Sequence, residues 1–281
     1  PSTPGQLAAL AGAIALYAVA TVVRAERWER LLARDGAHAP RADVYALTVV
    51  GYAVNNVLPA RAGDAVRVLL LAPRTQAGRR TILGTLLAER LLDIAVVVGL
   101  FLIVGYALLG EVGAGSIEVI VGVTVAAAAL AATGFVLLRR NERLRAMLVP
   151  ILSSTLNLRG RHGAYLLAMT VVVWGIESAM WMTIGSAVGF GIDPIEGVYL
   201  VALASVFALI PSGPGYAGTQ DAAAVIGIRA IGGSGSIAVS YIVMLRFVLV
   251  VPITLLGFVL IATRYGGLSR LRAARREAFA R

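Results

Sequence analysis

Apolar positions run along this chain in long blocks, interrupted by few charges, rather than alternating with polar ones. The blocks Leu7 to Val23, Leu83 to Leu109, Ile117 to Leu138, Ala164 to Val188 and Ile237 to Ala262 each reach the roughly 17–25 apolar residues that carry a helix across a bilayer. They predict five full spans. Two further apolar stretches, Val44 to Leu58 and Val198 to Ile210, are too short or too interrupted to cross in the same way. Each runs into a cluster of helix breakers. The first contains Asn55, Asn56, Pro59, Arg61, Gly63 and Asp64, and the second Pro211, Gly213, Pro214, Gly215 and Gly218. Proline removes a backbone donor and glycine permits non-helical angles, so both turns leave polar backbone groups unpaired. At membrane depth such groups are tolerated only inside protein or beside a wet cavity.

Charge assigns the loops to sides. Arg24, Arg27, Arg30, Arg34 and Arg41 follow the first span, Arg74, Arg79 and Arg80 precede the second, and a central loop holds Arg139, Arg140, Arg143, Arg145, Arg159 and Arg161. The tail from Arg264 is again arginine-rich, whereas Gly110 to Ser116 and Gly189 to Gly197 contain no basic residue. Basic loops stay cytoplasmic, which predicts an outside N-terminus, a cytoplasmic C-terminus and residence in the plasma membrane. Both short apolar stretches then lie between loops on a single side. Each becomes a re-entrant, broken hairpin, one entering from each face. The expected architecture is an all-α polytopic membrane bundle, a single domain over residues 1–281. Pseudo-repeat halves of reversed orientation, at about 6–110 and 164–263, are joined by the span at 117–138. Inverted repeats of this kind are the usual build of alternating-access transporters, with the site where the broken helices meet.

Composition narrows the chemistry. With 59% apolar and 14% charged residues, the bilayer is the medium for the whole chain. The formal charge of +10 sits in loops and favours contact with anionic headgroups over nucleic acid. The basic residues are all arginine, and the absence of cysteine excludes disulfides and thiolate chemistry. Arginines follow the first apolar run rather than precede it, so no cleavable signal peptide is expected.

The chemistry-bearing candidates are charges inside spans. Arg61, Asp64 and Arg67 recur every three residues at the start of a half-helix, where they would share a face. Glu89, Arg90 and Asp93 cluster in the next span, Glu177 lies deep in a later one, and Asp221 and Arg246 follow the second turn. Each costs about 2.5–3.5 kcal/mol to insert. Pairs such as Arg90 with Glu89 or Asp93, and Arg246 with Glu177 or Asp221, would fix helix register, but so many charges exceed that need. Arginine donates a planar fork to phosphate and stays charged when buried, so Arg61, Arg67, Arg90 and Arg246 are the candidates to hold a lipid phosphate. Trp174 and Trp181 flank Glu177 and are expected to pack the core. Gly185 and Gly189 read as a close-packing step, and His38 and His162 as loop residues without metal partners. Leu144 to Leu158 and Leu268 to Arg281 read as interfacial amphipathic segments.

At the two turns and at the Glu-Arg step the sequence resembles the lysylphosphatidylglycerol synthase transmembrane family, also described as flippase-like integral membrane proteins. Asn55, Asn56, Pro59, Arg61, Gly63, Asp64 and Arg67 match its first block, Glu89, Arg90 and Asp93 its span motif, and Pro211, Pro214, Gly215, Gly218 and Asp221 its late block. Asp64 and Asp221 stand where the family often has glutamate, which shortens the reach of both carboxylates. Family members fused to a cytoplasmic aminoacyl-transferase domain make and then flip aminoacylated phospholipid. No such domain is present in this sequence, so the resemblance implies the flipping half alone, acting on a phospholipid, glycolipid or polyprenyl-linked lipid made elsewhere.

The expected function is therefore lipid translocation through a polar cavity between the hairpins, without enzyme activity, metal or cofactor. Rival expectations are a membrane-embedded lipid-modifying enzyme, an ion-coupled transporter of a small anion, and a subunit that docks a cytoplasmic lipid-synthesising enzyme on its arginine-rich face.

Overall fold

The computed structural model describes residues 3–59, 61–109, 149, 154–155, 158–208 and 213–266. The expected connecting span at 117–138, both amphipathic segments apart from Val149, Ser154, Thr155 and Leu158, and Pro211 lie outside the described residues. Among those residues the chain is all helix: α1 (Pro4–Arg34), α2 (Arg41–Val57), α3 (Ala62–Leu71), α4 (Arg79–Leu109), α5 (Gly160–Ala187), α6 (Pro194–Phe207), α7 (Thr219–Ala230) and α8 (Gly235–Arg264).

Three of these, α1, α5 and α8, are long and apolar enough to cross a membrane. Helix α4 has 31 residues, about 46 Å at 1.5 Å per residue. The first span is longer than its apolar block suggests. Thr3 caps α1 reciprocally with Gln6, and the helix continues past Val23 to Arg34. Its inward stripe of Ala20, Thr21, Arg24, Trp28, Leu31 and Leu32 is buried, at the three- and four-residue spacing of one helix face.

Helix α1 packs antiparallel to α5, with Gly12 beside Thr183 and Arg27 bonded to Thr170 at 2.7 Å. This pairing defines two ends of the bundle. One end carries Arg34, Arg41, Arg74 and Arg264, and the other carries Gln6, Gly189 and the start of α6. Helices α2 and α3 form a hairpin rooted at the arginine end, where Asp43 accepts from Arg264 at 3.0 Å and from the Tyr265 hydroxyl at 3.3 Å. Helices α6 and α7 form a second hairpin rooted at the opposite end, where Asp193 caps α6 reciprocally with Glu196. At 17 and 14 residues, α2 and α6 extend only about 26 and 21 Å, short of a ~30 Å hydrocarbon core.

The hairpins are tight because glycine removes the side chains that would hold their arms apart. A Cβ on Gly63 would lie 1.9 Å from the Gly51 carbonyl oxygen, and one on Gly257 of α8 would lie 2.2 Å from the Ala53 Cβ. The first hairpin is thereby clamped between its own arms and α8.

Substituting Gly63→Ala should lower the thermal unfolding midpoint of the detergent-solubilised protein, through an overpacking cost of about 1–3 kcal/mol. Gly175→Ala, where a Cβ meets nothing within 4 Å, should leave the midpoint unchanged or raise it. Equal midpoints for the two variants would contradict the close approach.

Candidate functional site

The two hairpin tips meet. A Cβ on Gly215 would sit 3.6 Å from the Asn56 Cα, the Arg61 guanidinium lies 5.4 Å from the centre of the Tyr216 ring, and Arg61 Nη2 donates to the Ala208 carbonyl at 3.4 Å. Arg61 and Tyr216 are also the two non-glycine residues with positive φ among those described, at 53° and 59°. Left-handed backbone costs a side-chain-bearing residue about 1–2 kcal/mol. Strain of that size at both tips is held in place by specific bonds.

In the first tip, Asn55 Oδ1 accepts from the Gly63 amide at 2.7 Å. Asn56 Nδ2 donates to the Leu249 carbonyl at 3.3 Å and to Thr254 Oγ1 at 3.0 Å, on either side of Pro252, which lies inside α8 and has no amide to donate to its hydrogen-bond ladder. In the second tip, Arg246 donates to the carbonyls of Gly215 and Tyr216, and its Nε bonds Asp221 at 2.7 Å. Asp221 in turn accepts from the Gly218 amide at 3.0 Å. The carbonyls and amides exposed by the broken helix are thus met by a charged pair from α7 and α8.

Between the tips and α1, α4 and α5 lies a cavity of about 180 Å³. Asn55, Asn56, Arg61, Arg90, Asp93, Glu177 and Gly215 line it, together with Tyr17, Arg24, Tyr52, Trp174, Trp181, Ser205 and Gln220. Arg24 forms an ion pair with Glu177 across it and lies 5.6 Å from the Trp174 ring centre.

Behind the cavity is a knot of three arginines and three carboxylates. Arg27, 0% exposed, grips both oxygens of Asp93 at 2.7 and 3.2 Å and lies 3.7 Å from Glu89. Arg67 donates to Glu89 at 3.1 Å, lies 3.6 Å from Asp64, and stacks on Trp28 with its guanidinium 3.8 Å from the ring centre. Arg90 stands within 3.6–3.8 Å of Asp64, Glu89 and Asp93. Burial makes lone charges prohibitive, and alternating the signs makes the knot electrically neutral.

Residues 4–257 match the model of the family described as Lysylphosphatidylglycerol synthase TM region. The chain belongs to this family. No curated protein and no solved structure matches it. Membership in the lysylphosphatidylglycerol synthase TM region family, together with the long apolar helices, makes the chain a multi-pass membrane protein with a lipid-related role.

Several expectations for the site are corrected. Arg24 and Arg27, read from sequence as loop residues beyond the first span, lie in α1 and are buried at 7% and 0% exposure. Arg61 does not share a face with Asp64 and Arg67, because it precedes α3 as a left-handed cap. Glu177 pairs with Arg24 rather than Arg246. Asp64, Arg67 and Glu89 belong to the knot rather than the cavity lining. Asp221, Arg246 and Gly218 brace the second turn, in which Gly213 and Pro214 also lie, and Pro59 lies at the first. Trp174 and Trp181 do pack the core, and both also face the cavity. The signal for Arg24 and Arg27 was the buried stripe itself, since they continue its helical spacing into Trp28 and Leu31.

Glu89→Gln should destabilise the protein by about 3–5 kcal/mol, the usual result of removing one partner from a buried charge network. Glu196→Gln, in an exposed cap, should cost about 1 kcal/mol or less. Chemical denaturation in mixed micelles would compare them, and comparable losses would refute the knot.

Proposed function

We propose that this protein is a lipid translocase, moving a phospholipid, glycolipid or polyprenyl-linked lipid across the plasma membrane. In this reading the headgroup passes through the cavity while the acyl chains stay in the bilayer. The observation that carries it is the meeting of two broken helical hairpins, rooted at opposite ends of the bundle, around a small chamber lined by arginine, asparagine and aromatic side chains. Polar groups are expensive at membrane depth and mark substrate paths there. Broken helices meeting from opposite sides are how many transporters build a binding site.

The hairpins are re-entrant, the two halves form an inverted-topology repeat, and rocking of one half against the other exposes the chamber to each leaflet in turn. The N-terminus is outside and the arginine end is cytoplasmic. There the basic surface contacts anionic headgroups and offers a docking face to a cytoplasmic lipid-synthesising enzyme. Transport is passive or ion-coupled, and the protein itself performs no covalent chemistry on lipid. Of the four arginines expected to hold phosphate, Arg61 and Arg90 reach the chamber, while Arg67 and Arg246 hold the framework in place.

Purified protein reconstituted into liposomes should accelerate the exchange of fluorescent phospholipid between leaflets, measured by dithionite quenching of the outer leaflet. Arg90→Ala should slow the exchange at least about tenfold, the cost of losing one charge-assisted hydrogen bond. Arg246→Ala should slow it as well, by releasing the second turn. Transport at the wild-type rate in both folded variants would defeat the proposal.

A further inference from the structure

An arginine inside a membrane protein keeps its charge, so some neighbouring group must answer it. Around the chamber carboxylates do so for all but one. Arg24 pairs with Glu177, Arg246 with Asp221, and Arg27, Arg67 and Arg90 share Asp64, Glu89 and Asp93. Arg61 lines the chamber, half-buried, and has no carboxylate partner among the described residues. Its contacts are the Ala208 carbonyl at 3.4 Å, through Nη2, and the face of Tyr216. The first tip thus carries a positive charge that the described fold does not neutralise.

A partly desolvated guanidinium without a counter-ion is costly, and arginine cannot relieve the cost by losing its proton. The remaining route is a mobile anion, and the lining suits one. Both carboxylates there, Glu177 and Asp93, are held by arginines, which weakens their repulsion. Tyr17, Tyr52 and Gln220 line the chamber with side-chain donors that make no hydrogen bond among the described residues, and none of these donor atoms is buried. A chamber of about 180 Å³ takes roughly six waters at ~30 Å³ each. That is room for a small hydrated ion.

We propose that Arg61 holds an exchangeable inorganic anion of the chloride class when no headgroup is present, and that lipid enters by displacing it. The headgroup phosphate takes over the same role, so Arg61 is answered before and after the swap. The unloaded site returns with the inorganic anion, and translocation is an exchange of headgroup for anion across the membrane. The exchange rests on the translocase reading, whereas the anion site does not.

Chloride binding to the full-length protein in detergent is read from the broadening of the chloride NMR signal. Wild-type protein should broaden it saturably. R61Q should weaken that binding at least about tenfold, the value of one charge-assisted hydrogen bond, and R61K, which keeps the charge, should retain most of it. R79Q, which removes an exposed arginine at the start of α4, should bind chloride as the wild type does. Equal binding by folded wild-type and R61Q proteins would overturn the anion site. In liposomes with chloride inside and gluconate outside, fluorescent phospholipid should gather in the inner leaflet, because chloride leaving down its gradient drives headgroups the other way. Reversing the gradient should reverse the bias, and R61Q should abolish it. Transport that ignores the gradient would overturn the exchange and leave the translocase reading intact. No transport by folded wild-type protein would overturn both of these, with the chloride signal still deciding the anion site.

Discussion

A guanidinium can stay inside an apolar bundle only where opposite charge or directed acceptors surround it. That requirement organises this molecule. Arg27 and Arg67 are almost wholly buried, and the carboxylates that neutralise them come from α3 and α4. The elements around the knot are therefore locked in register by charge as much as by packing. Trp28 seals it from one side through its contact with Arg67, and its own N–H finds Thr85 at 3.0 Å. The apolar clusters fill the space around this polar centre without replacing it.

The same requirement explains how the chain tolerates broken helices. A turn such as Gly213 to Gly218 frees carbonyls and amides that hydrocarbon cannot satisfy. Here Arg246 takes the carbonyls and Asp221 takes an amide, so one ion pair performs the work of a missing helical turn. The first tip uses neutral groups instead, with Asn55 inside the hairpin and Asn56 reaching to α8. Both tips keep one side-chain-bearing residue in left-handed backbone, and those residues, Arg61 and Tyr216, face each other. A chamber bounded by such tips combines fixed walls with elements whose departure from ordinary helix is already in place.

Much of the fold was legible in the sequence because apolar length and proline-glycine punctuation are strong signals. The bounds expected for the short stretches, Val44 to Leu58 and Val198 to Ile210, fall close to α2 and α6. The membrane class and the family were legible from the same blocks and turns. What sequence reading missed follows from one assumption, that arginine after an apolar run belongs to a loop. The 3.6-residue period continues through Arg24 and Arg27, and only that periodicity distinguishes a buried arginine from one that contacts headgroups. Pairing partners were equally hidden. Glu177 is one of several acids that could answer Arg246, and only the antiparallel packing of α1 on α5 brings it to Arg24. Arg67 and Arg246 resembled ligand-binding arginines for the same reason: sequence shows charge, whereas commitment to a partner is a property of the folded chain.

The central claim is that the tips of two separately rooted hairpins touch at the chamber. The chain has no cysteine, so a double variant with Asn56→Cys and Gly215→Cys, oxidised in native membranes, reports on that contact alone, since disulfides form only across Cα separations of roughly 4.4–6.8 Å. A Gly12→Cys and Thr183→Cys pair on the α1–α5 contact serves as the control for oxidation. The account predicts an intramolecular crosslink in both double variants and none in any single variant. A control pair that crosslinks while the tip pair stays reduced would contradict it.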